Sequence, residues 1–214
     1  MFFILMCILI PWQSFAASGK DGLSRSTLIL PGLMQSKGWT YPPKELALLA
    51  FKQEKRLELW VFEQNRWQYL YSFPVLAASG RLGPKLKEGD RQVPEGIYQI
   101  VLLNPYSQFH LSLKINYPND FDLSHARQEG RDQLGGDIFI HGNAVSTGCL
   151  AMGNTVIEDI YYLVADTGMD KVKVIIAPVD LRVRSIDPRK ISEKLWVKDL
   201  YQDLEKNLKV FMKN

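Results

Sequence analysis

Two neighbouring stretches of the chain alternate with period two. Leu57, Leu59 and Val61 alternate with Glu58, Trp60 and Phe62, and Trp67, Tyr69, Tyr71 and Phe73 alternate with Gln68, Leu70 and Ser72. That period, with its aromatic and β-branched content, predicts two strands joined by a hairpin turn at Glu63–Arg66. Ser79–Gly96 carries four glycines and two prolines and reads as a loop. Short strands are predicted at Ile97–Leu103, His110–Ile115, Asp137–Ile140 and Lys171–Pro178. A short helix is expected near Ser124–Glu129. Thr155-Val156-Ile157-Glu158 has the form of a capping box opening a helix to about Asp166, with Gly168 as its stop. Asp187-Pro188 has the form of an N-cap followed by proline at the first helical position. Trp196, Leu200, Leu204, Leu208 and Phe211 then recur at helical spacing, an apolar stripe expected to pack on the sheet. The pattern predicts a mostly β fold with some α, a sheet core and a C-terminal helical tail.

Two regions stand outside this pattern. Gly19–Tyr41 is rich in Gly, Ser and Lys, has no sustained period, and reads as a loose N-terminal connection. Met1–Trp12 is an almost unbroken apolar run, and the first 16 residues carry no charge. About 12 apolar residues are too few to span a bilayer comfortably, and the small residues around Ala16 and Ala17 fit a cleaved export signal. No Lys or Arg precedes the run, which keeps an uncleaved anchor as the alternative. The chain of 214 residues is 46% hydrophobic and 23% charged, with a net charge of +3. These values fit one globular domain with a tail and give no argument for nucleic-acid binding. Two cysteines exclude a disulfide scaffold, and loss of Cys7 with the signal leaves Cys149 alone in an oxidising compartment.

The chemistry concentrates in one segment. A strand runs into His141, a loop of small residues (Gly142, Asn143, Ala144, Val145, Ser146, Thr147, Gly148) follows, and Cys149 stands at its end. An imidazole can take the proton of a thiol, whose thiolate is the nucleophile. A glycine before the cysteine lets the backbone turn and approach a substrate, and exposed N–H groups at such a turn can face an oxyanion. On residues alone three readings stay open: a Cys–His nucleophile, a structural pair in the core, or two ligands of a zinc site lacking its other members. The small polar residues between the pair favour the first, with a thiol pKa expected below the ordinary value. His110 and His125 read as structural or surface residues.

His141-Gly142 with Ser146-Thr147-Gly148-Cys149-Leu150-Ala151-Met152 resembles the signature of the L,D-transpeptidase catalytic domain (YkuD type). Gly80-Arg81-Leu82-Gly83-Pro84-Lys85 and Gly89-Asp90-Arg91-Gln92-Val93-Pro94-Glu95-Gly96-Ile97-Tyr98 resemble that family's other recurrent stretch. The two motifs lie in the family's order between about Leu57 and Pro178. Three features depart from its usual pattern: only Gly142–Val145 separate His141 from Ser146, Ala151 stands where Arg or Asn is common, and Val93 where Thr is common. The short loop resembles the YafK-type branch, which includes a protein that cuts a lipoprotein from peptidoglycan.

The pattern and the resemblance together give an expected layout of signal (1–17), N-terminal connection (18–45), L,D-transpeptidase-like catalytic domain (46–180) and C-terminal helical extension (181–214). The resemblance implies an exported, periplasmic or cell-envelope enzyme acting on peptidoglycan stem peptides without cofactor or metal. Cys149 and His141 would be catalytic, and Gly148, Ser146 and Gly142 would form the oxyanion site and its support. The basic residues Arg81, Lys85 and Arg91 of the glycine-rich loop read either as partners of substrate carboxylates or as a solvated loop. The expected reaction is thioester chemistry at a diaminopimelate centre ending in hydrolysis, with release of a peptidoglycan-linked lipoprotein as one outcome. The alternatives are 3–3 crosslinking or protein attachment by transpeptidation, and a non-catalytic wall-binding module. Membrane contact is expected only if the N-terminal run is retained.

Overall fold

The computed structural model describes residues 28–213, so the segment expected to be an export signal lies outside the described residues. In chain order the elements are α1 (Ile29–Ser36), β1 (Leu46–Phe51), β2 (Arg56–Glu63), β3 (Arg66–Pro74), β4 (Ala77–Ala78), β5 (Gly96–Ser107), β6 (His110–Ile115), α2 (Asp120–Gln128), β7 (Phe139–His141), β8 (Leu150–Ala151), α3 (Asn154–Thr167), β9 (Val172–Ala177) and α4 (Trp196–Leu208). The strands form one mixed sheet in the order β3-β2-β1-β9-β5-β6-β7-β8-β4.

The centre of the sheet explains a strand that period-two reading overlooks. All six residues of β1 are buried. Leu46, Leu48 and Ala50 face a core shared with α1 and α3, whereas Ala47, Leu49 and Phe51 face a second core under α4. A strand covered on both faces is apolar throughout, so its alternation is invisible in a polar/apolar code. Its parallel partner β9 divides the same way, Val174 to the first core and Ile175 to the second. The β2–β3 hairpin forms as expected. Its turn residues Gln64 and Asn65 both have positive φ (53° and 60°), the geometry of a two-residue turn whose twist matches its strands.

Helix α1 replaces part of the expected loose connection. Pro31-Gly32 looks like a turn, but the helix is capped from a distance: Asp159 Oδ1, on α3, accepts from the N–H groups of Ile29 (2.8 Å) and Leu30 (3.1 Å). Leu30 and Met34 are fully buried against the first core. The capping box expected at Thr155–Glu158 does not form. Helix α3 starts at Asn154 after Gly153, with no side-chain cap, and Glu158 is engaged by His110 instead. Asp187-Pro188 caps only a single 3-10 turn, and the apolar helix begins at Trp196. Its Val197, Leu200, Leu204 and Leu208, with Phe211 beyond it, pack on the sheet as the stripe requires.

A buried ion pair ties the long Ser79–Glu95 loop to this frame. Lys52, just after β1, lies 3.0 Å from Glu95 Oε1, and both side chains are at most 5% exposed. The Lys52 ammonium also donates to the carbonyls of Gly83 (2.9 Å) and Val93 (2.8 Å). Glu95 accepts from Gly83 N–H (2.7 Å) and from the Tyr201 hydroxyl of α4 (2.7 Å). Burial lowers the Lys52 pKa, opposed by the Glu95 carboxylate. Removing one partner strands the other charge in the core, so Glu95→Ala is expected to lower unfolding stability by about 3–5 kcal/mol. Urea titration followed by circular dichroism measures it, and an unchanged midpoint would remove this pair from the account of the loop.

Candidate active site

Strands β7 and β8 carry the two candidate residues at neighbouring positions. They pair in parallel, Ile140 beside Leu150 and His141 beside Ala151. Continued by one residue, that register sets Cys149 beside Phe139, so Cys149 and His141 are diagonal neighbours on one face of the pair, the relation through which long side chains meet. Cys149 Sγ accepts from Phe139 N–H (3.4 Å) and donates to the Asp137 carbonyl (3.8 Å). The thiol is free and half-buried.

His141 is 2% exposed. Its Nδ1 lies 2.6 Å from the Gly142 carbonyl. A carbonyl only accepts, so this contact assigns the proton to Nδ1 and leaves the lone pair of the neutral ring on Nε2. The Phe109 ring lies against the imidazole, with centroids 4.7 Å apart and a 35° tilt. Burial lowers the His141 pKa, opposed by the Gly142 carbonyl. Burial raises the Cys149 pKa, assisted by Asp137 and opposed by Phe139 N–H and the Lys85 ammonium. The lowered thiol pKa expected from the sequence is therefore corrected: burial pushes the thiol up and the imidazole down, and both shifts favour the uncharged forms.

Hydroxyls close the turn that carries the thiol. Ser146 Oγ donates to the Cys149 carbonyl (2.6 Å) and accepts from Cys149 N–H (3.1 Å). Gly148, at φ 102°, takes a backbone conformation that suits only glycine. Its N–H donates to Ser79 Oγ (2.5 Å), whose own proton goes to the Arg91 carbonyl (2.7 Å). The Gly148 N–H expected to face an oxyanion is thus turned to a serine hydroxyl, as is the N–H of Cys149, and the Gly142 N–H is taken by the Leu111 carbonyl. Ser79, a single polar residue beside Gly80, gave no periodic signal, yet it joins the long loop to the cysteine turn.

The loop itself is braced from within. Gln92 accepts from Arg81 N–H (2.9 Å) and donates to the carbonyls of Gly83 (2.6 Å) and Arg81. Asp90 accepts from the N–H groups of Leu86, Lys87 and Gln92 and from Lys85 Nζ, the last at 2.6 Å. Burial works against the Asp90 charge, but these donors outweigh it and hold its carboxyl below the ordinary range.

Of the three basic residues singled out, Lys85 is 6% exposed and committed to Asp90 and the Lys87 carbonyl. Arg81 and Arg91 are exposed. Arg81, with Lys87, Glu88, Arg131, Asp132 and Lys194, lines a groove of about 1010 Å³ along the loop. The strip between His141 and Cys149 is held by hydrogen bonds to its backbone. Asn143 N–H donates to Asn154 Oδ1 (2.8 Å), and Gly153 N–H to the Asn143 carbonyl (2.9 Å), so the strip is pinned to the start of α3. Among the described residues no cluster of three or more His, Cys, Asp or Glu is placed to hold a metal ion, and no helix is long and apolar enough to cross a membrane.

The L,D-transpeptidase catalytic domain (YkuD) family model matches residues 47–176. YafK of Escherichia coli, from strains K12 and O157:H7, bears an L,D-transpeptidase name and is 32% identical over 207 residues, covering 94% of this chain and 78% of the relative. Among solved structures, the helical cell shape determining protein Pgp2 of Campylobacter jejuni superposes with a TM-score of 0.51 at 26% identity, over 62% of this chain. A variant of the same protein gives 0.53 at 22% identity over 77% of this chain. The chain spans 47% and 54% of those two structures. Sheet, cysteine turn and family match coincide in one region, and the chain belongs to the L,D-transpeptidase catalytic domain family of peptidoglycan-acting enzymes.

Proposed function

We propose that Cys149 is the nucleophile and His141 the general base of an acyl transfer on peptidoglycan stem peptides, completed chiefly by water. The observation that carries this reading is the Nδ1 contact to Gly142, which leaves the His141 Nε2 lone pair for the thiol proton. The proton passes to Nε2 as sulfur bonds to the substrate carbonyl carbon. The C–N bond breaks, the amine leaves with that proton, and a thioester remains. Nε2 then takes a proton from water, the hydroxide oxygen bonds to the same carbon, the C–S bond breaks, and sulfur recovers its proton.

The oxyanion would meet the Gly148–Cys149 turn, where Ser79 and Ser146 can rotate or yield their N–H partners. Arg81 and Arg91 supply exposed cations for stem-peptide carboxylates, and the groove beside Arg81 is large enough for a peptide. Lys85 stiffens the loop and sets a positive charge near the thiol. The apolar run at Met1–Trp12 supports export to the compartment that holds this polymer, and a peptidoglycan-linked lipoprotein is one substrate of the required chemistry.

The short strip between His141 and Cys149 favours water. Asn143, Ala144, Val145 and Thr147 are exposed, and the strip is too short and too firmly pinned to close over an acceptor strand. A transferase has to orient its acceptor and keep water from the thioester, since well-placed reactants gain effective molarities up to ~10⁵–10⁸ M.

Three outcomes test the proposal. Cys149→Ala abolishes turnover and thioester formation while keeping the fold, and His141→Ala lowers turnover by at least ~10²-fold, with His125→Ala as a control because its ring is stacked on Trp196. Full activity without the thiol would reject the assignment.

A raised thiol pKa makes alkylation of Cys149 at pH 7 slower than that of a free cysteine, with the rate still climbing above the ordinary thiol pKa. The lowered His141 pKa keeps turnover high down to below the ordinary imidazole value, and activity is lost as the ring protonates. Fast alkylation at pH 7 would instead indicate a preformed thiolate–imidazolium pair.

With a stem-peptide donor and a large excess of a diaminopimelate-containing acceptor, mass spectrometry is expected to find mainly cleaved donor. A dominant 3–3 crosslinked dimer would restore the transpeptidase reading.

A further inference from the structure

The tip of the β5–β6 hairpin meets His141 at one point, its neighbour Gly142 at a second and α3 at a third. The Phe109 ring lies on the imidazole. The Phe109 carbonyl crowds Gly142, where an added Cβ would stand 2.5 Å from that oxygen. Gly142, in turn, supplies the carbonyl that holds His141 Nδ1, and its N–H donates to the Leu111 carbonyl (3.1 Å). The third joint is His110 Nε2 against Glu158 Oε1, 2.5 Å apart. Glu158 is 7% exposed among the buried Ile157, Ile160 and Tyr161, and it caps nothing. His110 holds a positive φ of 76°, an uncommon conformation for a non-glycine residue and one that a side-chain anchor stabilises.

We propose that the Glu158–His110 pair is a positioning device for His141: by anchoring the hairpin tip to α3 it keeps the Phe109 ring on the imidazole and the Gly142 carbonyl aimed at Nδ1. This rests on the reading of His141 as the base. The ring excludes water from one face of the imidazole and limits its rotation, and the Gly142 carbonyl preserves the tautomer with a free Nε2. A loosened tip admits water, lets the ring turn, and costs rate through misorientation.

The test measures the His141 titration by NMR beside steady-state kinetics on stem peptide, for Phe109→Ala, Glu158→Ala and Glu158→Gln. Phe109 is 40% exposed, so its truncation tests the cover with little risk to folding, and the NMR spectrum reports the fold directly. Phe109→Ala is expected to move the His141 midpoint up towards the ordinary imidazole value as water reaches the ring. It is expected to lower kcat by about 10- to 100-fold with little change in KM. Glu158→Ala lowers kcat in the same way. Glu158→Gln, whose amide oxygen can still accept from His110, recovers most of that loss. An unmoved His141 midpoint in folded Phe109→Ala overturns the proposal, as does a Glu158→Gln as slow as Glu158→Ala. A loss confined to KM overturns it too, since it would assign the tip to substrate contact. If the wild-type chain turns over no stem peptide, the proposed function fails, while the His141 titration in Phe109→Ala still decides whether the tip covers the ring.

Discussion

Much of this molecule hangs on one buried ion pair. Lys52 comes just after the central strand, Glu95 just before the strand two places away, and between them they hold both ends of the Ser79–Glu95 loop. Two charges taken out of water cost several kcal/mol each unless their remaining hydrogen-bonding positions are filled. Here two loop carbonyls, a loop N–H and the Tyr201 hydroxyl fill them. The desolvation cost is met only when loop, sheet and C-terminal helix are all in place, which makes the loop's conformation conditional on the whole fold. The loop then delivers Ser79 to the Gly148 N–H, with the Arg91 carbonyl holding the Ser79 hydroxyl.

The sequence was most readable where a feature is local. The β2–β3 hairpin, the α4 stripe and the His141–Cys149 segment each carry their own period or spacing. It was least readable where a partner lies far along the chain. Helix α1 hides behind Pro31-Gly32 because its cap, Asp159, is on another helix. Strand β1 hides because two cores consume both of its faces. The Thr155–Glu158 pattern misleads because His110 takes Glu158 away from the helix end. Lys85 looked like a free cation on a polar loop, and only the fold turns it inward onto Asp90. The same distinction holds at the site. Spacing put an imidazole near a thiol, but the pKa directions depend on burial, which local sequence does not encode. Ser79 required the meeting of two loops that the chain separates by 67 residues.

The resting state has a mechanistic meaning. A thiol and a neutral imidazole, the forms that burial favours here, carry no charge to be desolvated while the site waits. In the proposed mechanism charge then develops only when a carbonyl carbon is within reach, and proton transfer and bond formation are coupled to substrate positioning. A thiol kept in this form is also a poor target for oxidants, which act on thiolate.

The sheet's second core sets a limit on what can be cut away. The family match ends at Ile176, but Ala47, Leu49, Phe51, Trp60 and Ile175 are covered by side chains that come after it in sequence. A fragment ended at the family boundary would bare a broad apolar face and strip the Tyr201 hydroxyl from Glu95. Such a surface is a route to self-association rather than to a smaller enzyme. In modular terms, the portable piece of this chain is larger than the domain by which it is recognised, and any fusion or domain exchange has to carry the tail with it.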